Sequence, residues 1–169
     1  PDDIFELPLS LEEVSALTFY DHDQLAMLHD EAGIMYVYSL LEKEIIKSIT
    51  FKGDGDFEGI ERVENDIYAI KSNGDFYKFE LGTAGVLEEI ETPFKKDNDI
   101  EGIGFDPFNN LLLFGMKDSG DVGSFEVKGR AIYGYNLAQQ AFIEKPLYFI
   151  LNKDLKKLVG KNSNSNLLV

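Results

Sequence analysis

The sequence predicts an all-β fold, a β-propeller of four-stranded antiparallel blades, on two observations. The first is a repeat: Asp56-Phe57-Glu58-Gly59-Ile60 returns 43 residues later as Asp99-Ile100-Glu101-Gly102-Ile103, and a degenerate copy surrounds Ser15. The second is a series of short apolar segments separated by polar turns in every copy. A fixed period near 40 residues in a β-rich sequence is typical of propeller blades, which have about that length.

The repeat also predicts the domain organisation. Three complete blades are expected over residues 11–51, 54–94 and 97–150. Residues 155–169 predict a fragment of a fourth blade, and residues 4–8 predict a lone strand of the kind that closes a propeller ring. Six such units need about 258 residues, so the chain is expected to supply roughly half of a six-bladed ring.

The first two strands of each blade are apolar segments joined by a polar turn. The opening strands are predicted at Val14–Tyr20, Phe57–Val63 and Ile100–Phe105. The second strands are predicted at Gln24–His29, Asp66–Lys71 and Asn110–Met116. Tight turns follow at residues 30–33 and 72–75, where a glycine is expected to supply a positive φ.

The third strand of each blade has aromatic residues at alternate positions. These pairs are Tyr36 and Tyr38, Tyr77 and Phe79, and Tyr133 and Tyr135. Alternation places both rings of a pair on one face of the sheet, where they are expected to pack against the neighbouring blade. The fourth strands are predicted at Glu44–Phe51, Val86–Thr92 and Phe142–Ile150.

Two segments depart from the repeat. Lys117–Arg130 lengthens the third unit and predicts an exposed insertion in a hairpin. A fourth opening strand is expected near residue 157, yet Leu167–Val169, which has the pattern of a third strand, follows about ten residues too early for the repeat. The spacing therefore predicts that the native chain is interrupted between Lys157 and Asn166.

Composition and charge exclude several functional classes. Of the 169 residues 44% are hydrophobic, which supports a packed core. The net charge of −15 argues against nucleic acid or an anionic bilayer as a partner, because phosphates would be repelled. The absence of cysteine excludes disulfides, thiolate metal sites and cysteine nucleophiles. No apolar run is long enough to span a membrane, and a first residue that is not methionine is compatible with a lost leader or lipid anchor.

Several segments resemble the SdiA-regulated family. The family's opening is similar to Leu7-Pro8, LEEVSAL at 11–17 and DEAGIMYV at 30–37. Its G-D-x-E-G-I-E segment is similar to GDGDFEGIE at 53–61. Its third-blade opening is similar to DIEGI at 99–103 followed by Phe105-Asp106-Pro107. The resemblance implies a six-bladed propeller, exported to the periplasm, the cell surface or the medium of a bacterium, with no established activity. The chain differs from the family at Ala16, where glycine is usual, and in length. E-G-I openings also occur in phytase-like and gluconolactonase-like propellers.

Two pairs of acidic residues are candidates for a metal site. Asp56 and Glu58 are two residues apart, as are Asp99 and Glu101, so the members of each pair face the same way in a strand. If each pair begins an innermost strand, the carboxylates point toward the propeller axis, and such an oxygen-rich site suits a hard cation such as Ca²⁺. An EF-hand is excluded because neither copy has the glutamate required at position 12.

Other roles for these carboxylates remain open: they could accept hydrogen bonds that fix the blade geometry, or take part in catalysis. The two histidines are His22, in a polar turn, and His29, at the end of a strand, and neither predicts a zinc site. Ser15 lacks the G-x-S-x-G context of a hydrolase nucleophile.

Three functions are compatible with these features. The first is an exported propeller that binds a ligand, a cation or a protein partner at its axial face without catalysis. The alternative is a divalent-metal-dependent hydrolase or lactonase-type enzyme that uses channel carboxylates. The third is a purely structural interaction domain. Metal binding distinguishes them, because an enzyme of this class needs at least three protein ligands around one ion and an open position. Whether the protein is an enzyme is left undecided by the sequence.

Overall fold

The computed structural model describes residue 4, residues 6–81 and residues 87–159, with side chains as far as residue 157. These residues form three antiparallel sheets of four, four and five strands and one short α-helix, so the predicted all-β class is confirmed. The chain divides into two compact units, one of Pro1–Lys71 with Asp75–Glu91 and one of Ser72–Gly74 with Thr92–Val169. The arrangement of the sheets as propeller blades stays a prediction.

The first unit contains two sheets whose strands follow one another in sequence order. The first sheet consists of β1 (Val14–Asp21), β2 (Gln24–His29), β3 (Ala32–Ser39) and β4 (Glu44–Asp54). The second sheet consists of β5 (Phe57–Val63), β6 (Asp66–Lys71), β7 (Phe76–Glu80) and β8 (Leu87–Ile90). The predicted strands are confirmed with small shifts at their ends; residues 82–86, which include the predicted start of the last strand, lie outside the described residues.

The two predicted tight turns, at residues 30–33 and 72–75, use glycine differently. Gly74 has a φ of +94°, as predicted for a turn that L side chains rarely adopt. Gly33 lies within β3 without a positive φ, so the expectation is wrong for this residue. A Cβ on Gly33 would come 2.6 Å from the Cβ of Lys52, which shows that the close approach of β4 requires glycine there.

The two sheets of the first unit pack against each other through a buried core. The first sheet contributes Ala26, Leu28, Met35 and Val37, and the second contributes Phe57, Ile60, Ile67, Ala69, Tyr77 and Phe79. Tyr77 and Phe79 therefore lie on one face and pack against the neighbouring sheet, as predicted. In β3 the equivalent Tyr36 and Tyr38 lie on the opposite side of the first sheet, where Tyr38 is buried with Leu11.

The second unit is built on the third sheet, which consists of β9 (Ile100–Asp106), β10 (Leu111–Met116), β11 (Gly129–Asn136), β12 (Ala141–Phe142) and β13 (Tyr148–Leu151). Both β12 and β13 pair with β11. The prediction of one continuous strand over Phe142–Ile150 is therefore wrong. Pro146 lies between the two short strands and has no N–H to donate to a ladder, which accounts for the interruption.

The insertion at Lys117–Arg130 is packed against the sheet. Val122 and Val127 are buried. The side-chain amide of the buried Asn98 donates to two backbone carbonyls of the insertion, each at 2.8 Å, and the Tyr133 hydroxyl donates to a third at 2.9 Å. The expectation of an exposed loop is wrong for these parts of the segment, because its carbonyls satisfy polar groups that would otherwise be buried without partners.

A helix, α1 (Asn152–Val159), lies where the repeat predicts a fourth opening strand near residue 157, so that prediction is wrong. Asp154 in the first turn and Lys157 three residues later, with their charged groups 3.2 Å apart, both favour a helix. Residues 160–169, with the predicted third strand and most of the predicted interruption, lie outside the described residues. Of the predicted closing strand, residue 5 lies outside them as well, and residues 4 and 6–8 form no strand.

Candidate functional site

The opening strand of every sheet carries a β-bulge at the same repeat position. The extra residue is Ser15 in β1, Glu58 in β5 and Glu101 in β9. A bulge opposes two residues to one on the partner strand and redirects the side chain of the extra residue. Glu58 and Glu101 therefore occupy equivalent positions in their sheets, as the repeat predicts.

Three carboxylates converge in the first unit. One oxygen each of Asp30, Asp56 and Glu58 lies within 4.8 Å of the others. Asp30 and Glu58 are half-buried, whereas Asp56 is exposed. These three residues are called the acid cluster below. Two carboxylates about 4 Å apart repel each other by about 1 kcal/mol in water and by more at the lower effective dielectric of a partly buried site. A divalent cation bound between them would reverse the sign of this interaction.

Backbone hydrogen bonds hold the two segments of the acid cluster together. The N–H of Phe57, between the two acids of β5, donates to the carbonyl of Asp30 at 2.8 Å. The N–H of Gly55 donates to the carbonyl of Glu31 at 3.1 Å. Main-chain geometry thus brings the two segments that carry the carboxylates together, and glutamate to glutamine leaves these backbone hydrogen bonds available.

The sequence predicted half of this cluster. Asp56 and Glu58 are brought together as expected, but the sequence predicts only a turn for Asp30. In the sequence, Asp30 directly follows the second predicted strand of its repeat. When neighbouring sheets pack face to face, the end of that strand lies against the start of the next repeat. This position therefore indicates a third acid beside Asp56 and Glu58.

The other two predicted ligands have a different environment. Lys117 Nζ lies 2.8 Å from Glu101 and 3.3 Å from Asp99. The hydrogen bond to Glu101, followed by that to Asp99, raises the pKa of Lys117. Asp99 and Glu101 therefore form an ion-paired triad with a lysine, and in the part of the chain that the structure describes they belong to no group of three potential metal ligands.

The backbone shows which residues are equivalent in the two arrangements. The N–H of Phe57 donates to Asp30, and in the second unit the N–H of Ile100 donates to the carbonyl of Ser72 at 2.9 Å. Ser72 thus stands where the acid cluster has Asp30. The N–H of Lys117 donates to the carbonyl of Asp99 at 2.8 Å, and the N–H of Asp30 donates to the carbonyl of Glu13 at 2.8 Å. Lys117 and Asp30 therefore occupy equivalent positions, each directly after the second strand of its own sheet.

The remaining candidates have structural roles. The Ser15 hydroxyl donates to the carbonyl of Phe57, which ties β1 to the start of β5. His29 lies 3.8 Å from Glu13 and accepts a hydrogen bond from the N–H of Glu31. His22 is exposed in its turn, as expected.

The second unit also contains an open cavity of about 490 Å³ between the packed insertion and α1. Its charged lining residues are Asp97, Asp118, Asp121, Lys128, Arg130 and Lys156. Sequence reasoning missed it because the helix was read as a strand. Acids and bases are present in equal number, so the lining favours no ligand of a single charge.

No helix among the described residues is long and apolar enough to cross a bilayer.

Comparison with known proteins shows similarity of fold. No protein-family model matches the sequence, and no curated protein matches it. The structure is similar to hydrazine synthase of Kuenenia stuttgartiensis, with a TM-score of 0.58 and 18% identity over 80% of this chain and 37% of that chain. It is also similar to the computationally designed Ika4 protein, with a TM-score of 0.51 and 12% identity over 88% of this chain and 78% of that one. The chain thus spans little more than a third of the hydrazine synthase chain, and identities this low show the fold alone.

Proposed function

We propose that this chain supplies consecutive blades of an exported, SdiA-regulated type of β-propeller, and that it is a binding module that holds Ca²⁺ at the acid cluster. The propeller is supported by the first unit, where two repeats pack face to face with β1 and β5 close together. The Thr18 hydroxyl donates at 2.6 Å to Glu61, which is 43 residues further along the chain. Contact between equivalent residues of successive opening strands is expected when those strands are innermost.

The convergence of Asp30, Asp56 and Glu58 is the observation that carries the cation. Three carboxylates offer up to six oxygens, and backbone carbonyls and water can complete the six to eight oxygens that Ca²⁺ prefers. Mg²⁺ demands near-ideal octahedral geometry and gives up water reluctantly, so it fits a partly exposed set of flexible carboxylates less well. Zn²⁺ favours nitrogen and sulfur ligands, which the cluster does not supply.

A bound cation gives this surface a function in recognition. The exposed Asp56 places the ion next to solvent, where an acidic ligand or an acidic loop of a protein partner can reach it. The chain carries a net charge of −15, so the ion would be a local positive centre on a strongly negative protein. The alternative function, a metal-dependent hydrolase or lactonase, would use the same exposed side of the ion to activate water.

Calorimetric titration of the chain with CaCl₂ tests the proposal. We expect one binding event, weakened at least about tenfold by Glu58→Gln, which removes a charged ligand without changing its shape. Glu101→Gln is the matched control, because Glu101 occupies the equivalent bulge but pairs with Lys117; it should leave calcium affinity unchanged. Absence of binding at millimolar calcium, or equal effects of the two substitutions, would refute the cation site. Calcium-dependent hydrolysis of a lactone or phosphoester that Glu58→Gln abolishes would favour the enzyme.

A further inference from the structure

The outer edge of the third sheet differs in composition from the outer edges of the other two sheets. In the first unit the fourth strand of each sheet forms the edge and carries charges, which are Glu44, Lys47 and Lys52 among those of β4 and Glu88 and Glu89 in β8. The corresponding strand β13 has the uncharged sequence YFIL, and among the described residues it pairs only with β11. Charged residues protect edge strands from pairing with other chains, so β13 lacks a protection that β4 and β8 have.

The backbone of β13 presents hydrogen-bonding groups at this edge. The N–H of Asn152 donates to the carbonyl of Lys128 at 3.0 Å, in register with the ladder between β11 and β13. Hydrogen-bonded pairs alternate along an antiparallel ladder, so the N–H groups of Phe149 and Leu151 point away from β11. No strand in the described part of the chain lies along this side of β13. An extended chain placed there can accept these hydrogen bonds and donate its own.

The exposed apolar side chains of β13 lie on both faces of the sheet. Tyr148 is 62% exposed and Phe149 is 56% exposed. The register places Tyr148 where β4 has Ile49, which packs against the next sheet, and it places Phe149 where β4 has the exposed Thr50 on the opposite face. A further repeat that packs on the third sheet accounts for Tyr148 but not for Phe149. Repeats of the first unit pack through their faces and leave the edges of β4 and β8 unpaired, so a further repeat also leaves the edge of β13 open.

The segment around β13 is basic although the chain as a whole is acidic. Residues 145–157 contain four lysines and one acid, whereas the whole chain has a net charge of −15. Lys145 precedes the strand, and Lys153 and Lys156 follow it in α1; all three are exposed. Within the described residues neither Lys153 nor Lys156 has an ion-pair partner. Positive charge at both ends of an uncharged edge fits an extended partner whose two ends are acidic.

We propose that β13 binds an extended peptide segment of a partner protein, which adds a strand to the third sheet and carries acidic residues at both ends. In this mode of recognition main-chain hydrogen bonds provide affinity and side chains provide specificity. Pro146 and the start of α1 limit the paired part to residues 147–151. Antiparallel pairing of β13 with β13 of a second copy would place Lys145 beside the lysines of α1, so like charges disfavour that arrangement. The inference does not rest on the cation site.

Fluorescence anisotropy with the capped and labelled peptide DETVTVTVDE tests the proposal. The core of this peptide consists of β-branched residues, which favour a strand, and its ends are acidic. We expect saturable binding that added NaCl weakens, because salt screens the attraction between the acids and the lysines. The peptide KKTVTVTVKK should bind more weakly at low salt. N-methylation of consecutive core residues prevents pairing through either edge of the peptide and should weaken binding at least about tenfold, with no change to the protein.

A substitution on the protein complements the peptide series. Phe149→Glu places a negative charge on the edge strand and should weaken binding of the acidic peptide at least about tenfold, because like charges are brought together. Thr50→Glu is the matched control, since Thr50 occupies the corresponding position on the edge strand of the first sheet, and it should leave the affinity unchanged. Circular dichroism checks that both variants are folded.

Three results would overturn the proposal. The first is absence of binding at millimolar peptide and low salt, as expected if another segment of the same protein covers the edge. The second is equal binding of the acidic peptide and of its lysine or N-methylated counterpart, which would exclude acid-selective pairing through the backbone. The third is self-association of the chain that Phe149→Glu abolishes, without peptide binding, which would assign the edge to a second copy.

Discussion

The acid cluster of the first unit and the lysine-centred triad of the second are two versions of one backbone arrangement. Both place two acids at the start of an opening strand, with the glutamate on a β-bulge. In the first, Asp30 adds a third carboxylate; in the second, Ser72 takes the position of Asp30 and Lys117 supplies a positive charge within 3.3 Å of both acids. The two arrangements therefore share the positions of their acids and differ in the residues beside them, which are a third carboxylate in the first unit and a lysine in the second.

The two units also differ at the residue that precedes the two acids of the opening strand. Asn98 is buried in the second unit, where its side chain holds the packed insertion. Its counterpart in the first unit is Gly55, where a Cβ would meet the side chain of Lys71 at 2.2 Å. The second unit therefore uses a side-chain network at a position that the Lys71 side chain occupies in the first unit.

The largest effect is expected from Asn98→Ala. The substitution removes two hydrogen bonds that the amide donates and one that it accepts from the N–H of Lys95, and it leaves their backbone partners without them. We expect a loss of about 3 kcal/mol in the free energy of unfolding, measured with urea. Gly53→Ala serves as the control, since its Cβ would meet nothing within 4 Å. A loss below about 1 kcal/mol would show that the insertion is held by other contacts.

The third-strand tyrosines give a pH test of the two units. Burial raises the pKa of Tyr77 to about 12, with smaller contributions from Asp75 and Glu89. Since the folded pKa exceeds the unfolded value near 10, the stability due to the neutral hydroxyl is present below pH 10 and is lost as the pH rises toward 12. The difference in the free energy of unfolding between the parent protein and Tyr77→Phe should therefore fall by about 2 kcal/mol from pH 10 to pH 12.

Tyr133 is the comparison for that experiment. Its pKa is also raised by burial and then by Asp121, but its hydroxyl donates to the carbonyl of Gly120 at 2.9 Å, whereas the Tyr77 hydroxyl makes only a long contact of 3.5 Å with Asp75. Tyr133→Phe should therefore cost about 1 kcal/mol already at neutral pH, where Tyr77→Phe costs less. Unfolding curves at pH 7 and pH 12 measure both differences, and a pH-independent difference for Tyr77→Phe would contradict the raised pKa.

The residue types of the acid cluster can be transplanted into the second unit. The double substitution Ser72→Asp with Lys117→Ser gives the second unit the same set of residue types as the first. We expect a second calcium equivalent in calorimetry, at least about tenfold weaker than the first because the recipient site was not shaped for an ion. Ser72→Asp alone, which keeps the lysine, should add no equivalent. A stoichiometry that stays at one for the double variant would show that residue identity does not decide cation binding here.

The smallest effect is expected for Lys117→Met. Its ion pairs are partly exposed and solvent screens them, so the loss of stability at neutral pH should be the smallest of those predicted here. The raised pKa of Lys117 means that its contribution is present below the unfolded value of 10.5 and is lost as the pH rises above it. Added salt should reduce the difference from the parent protein, as measured by thermal unfolding in low and high NaCl. A difference that salt does not change would indicate lost packing instead of lost charge.

Much of the fold could be predicted because strand formation and face assignment are local properties of the chain. Alternation with period 2 placed Tyr77 and Phe79 on one face, and the 43-residue repeat placed Glu58 and Glu101 at equivalent positions before any contact was known. The same local reasoning failed at Pro146, where a missing N–H interrupts a strand, and at α1, where the expected repeat was given more weight than helix-forming residues.

The site depended on contacts that sequence spacing does not contain. Asp30 and Glu58 are 28 residues apart, and their carboxylates meet only because two sheets pack face to face and the N–H of Phe57 bonds to Asp30. Lys117 reaches Asp99 and Glu101 because the end of β10 lies beside the start of β9 in an antiparallel pair. The charged residues and the repeated positions can be read from the chain alone. Which charges are neighbours depends on the folded arrangement, because electrostatic interactions depend on distance through space and not along the chain.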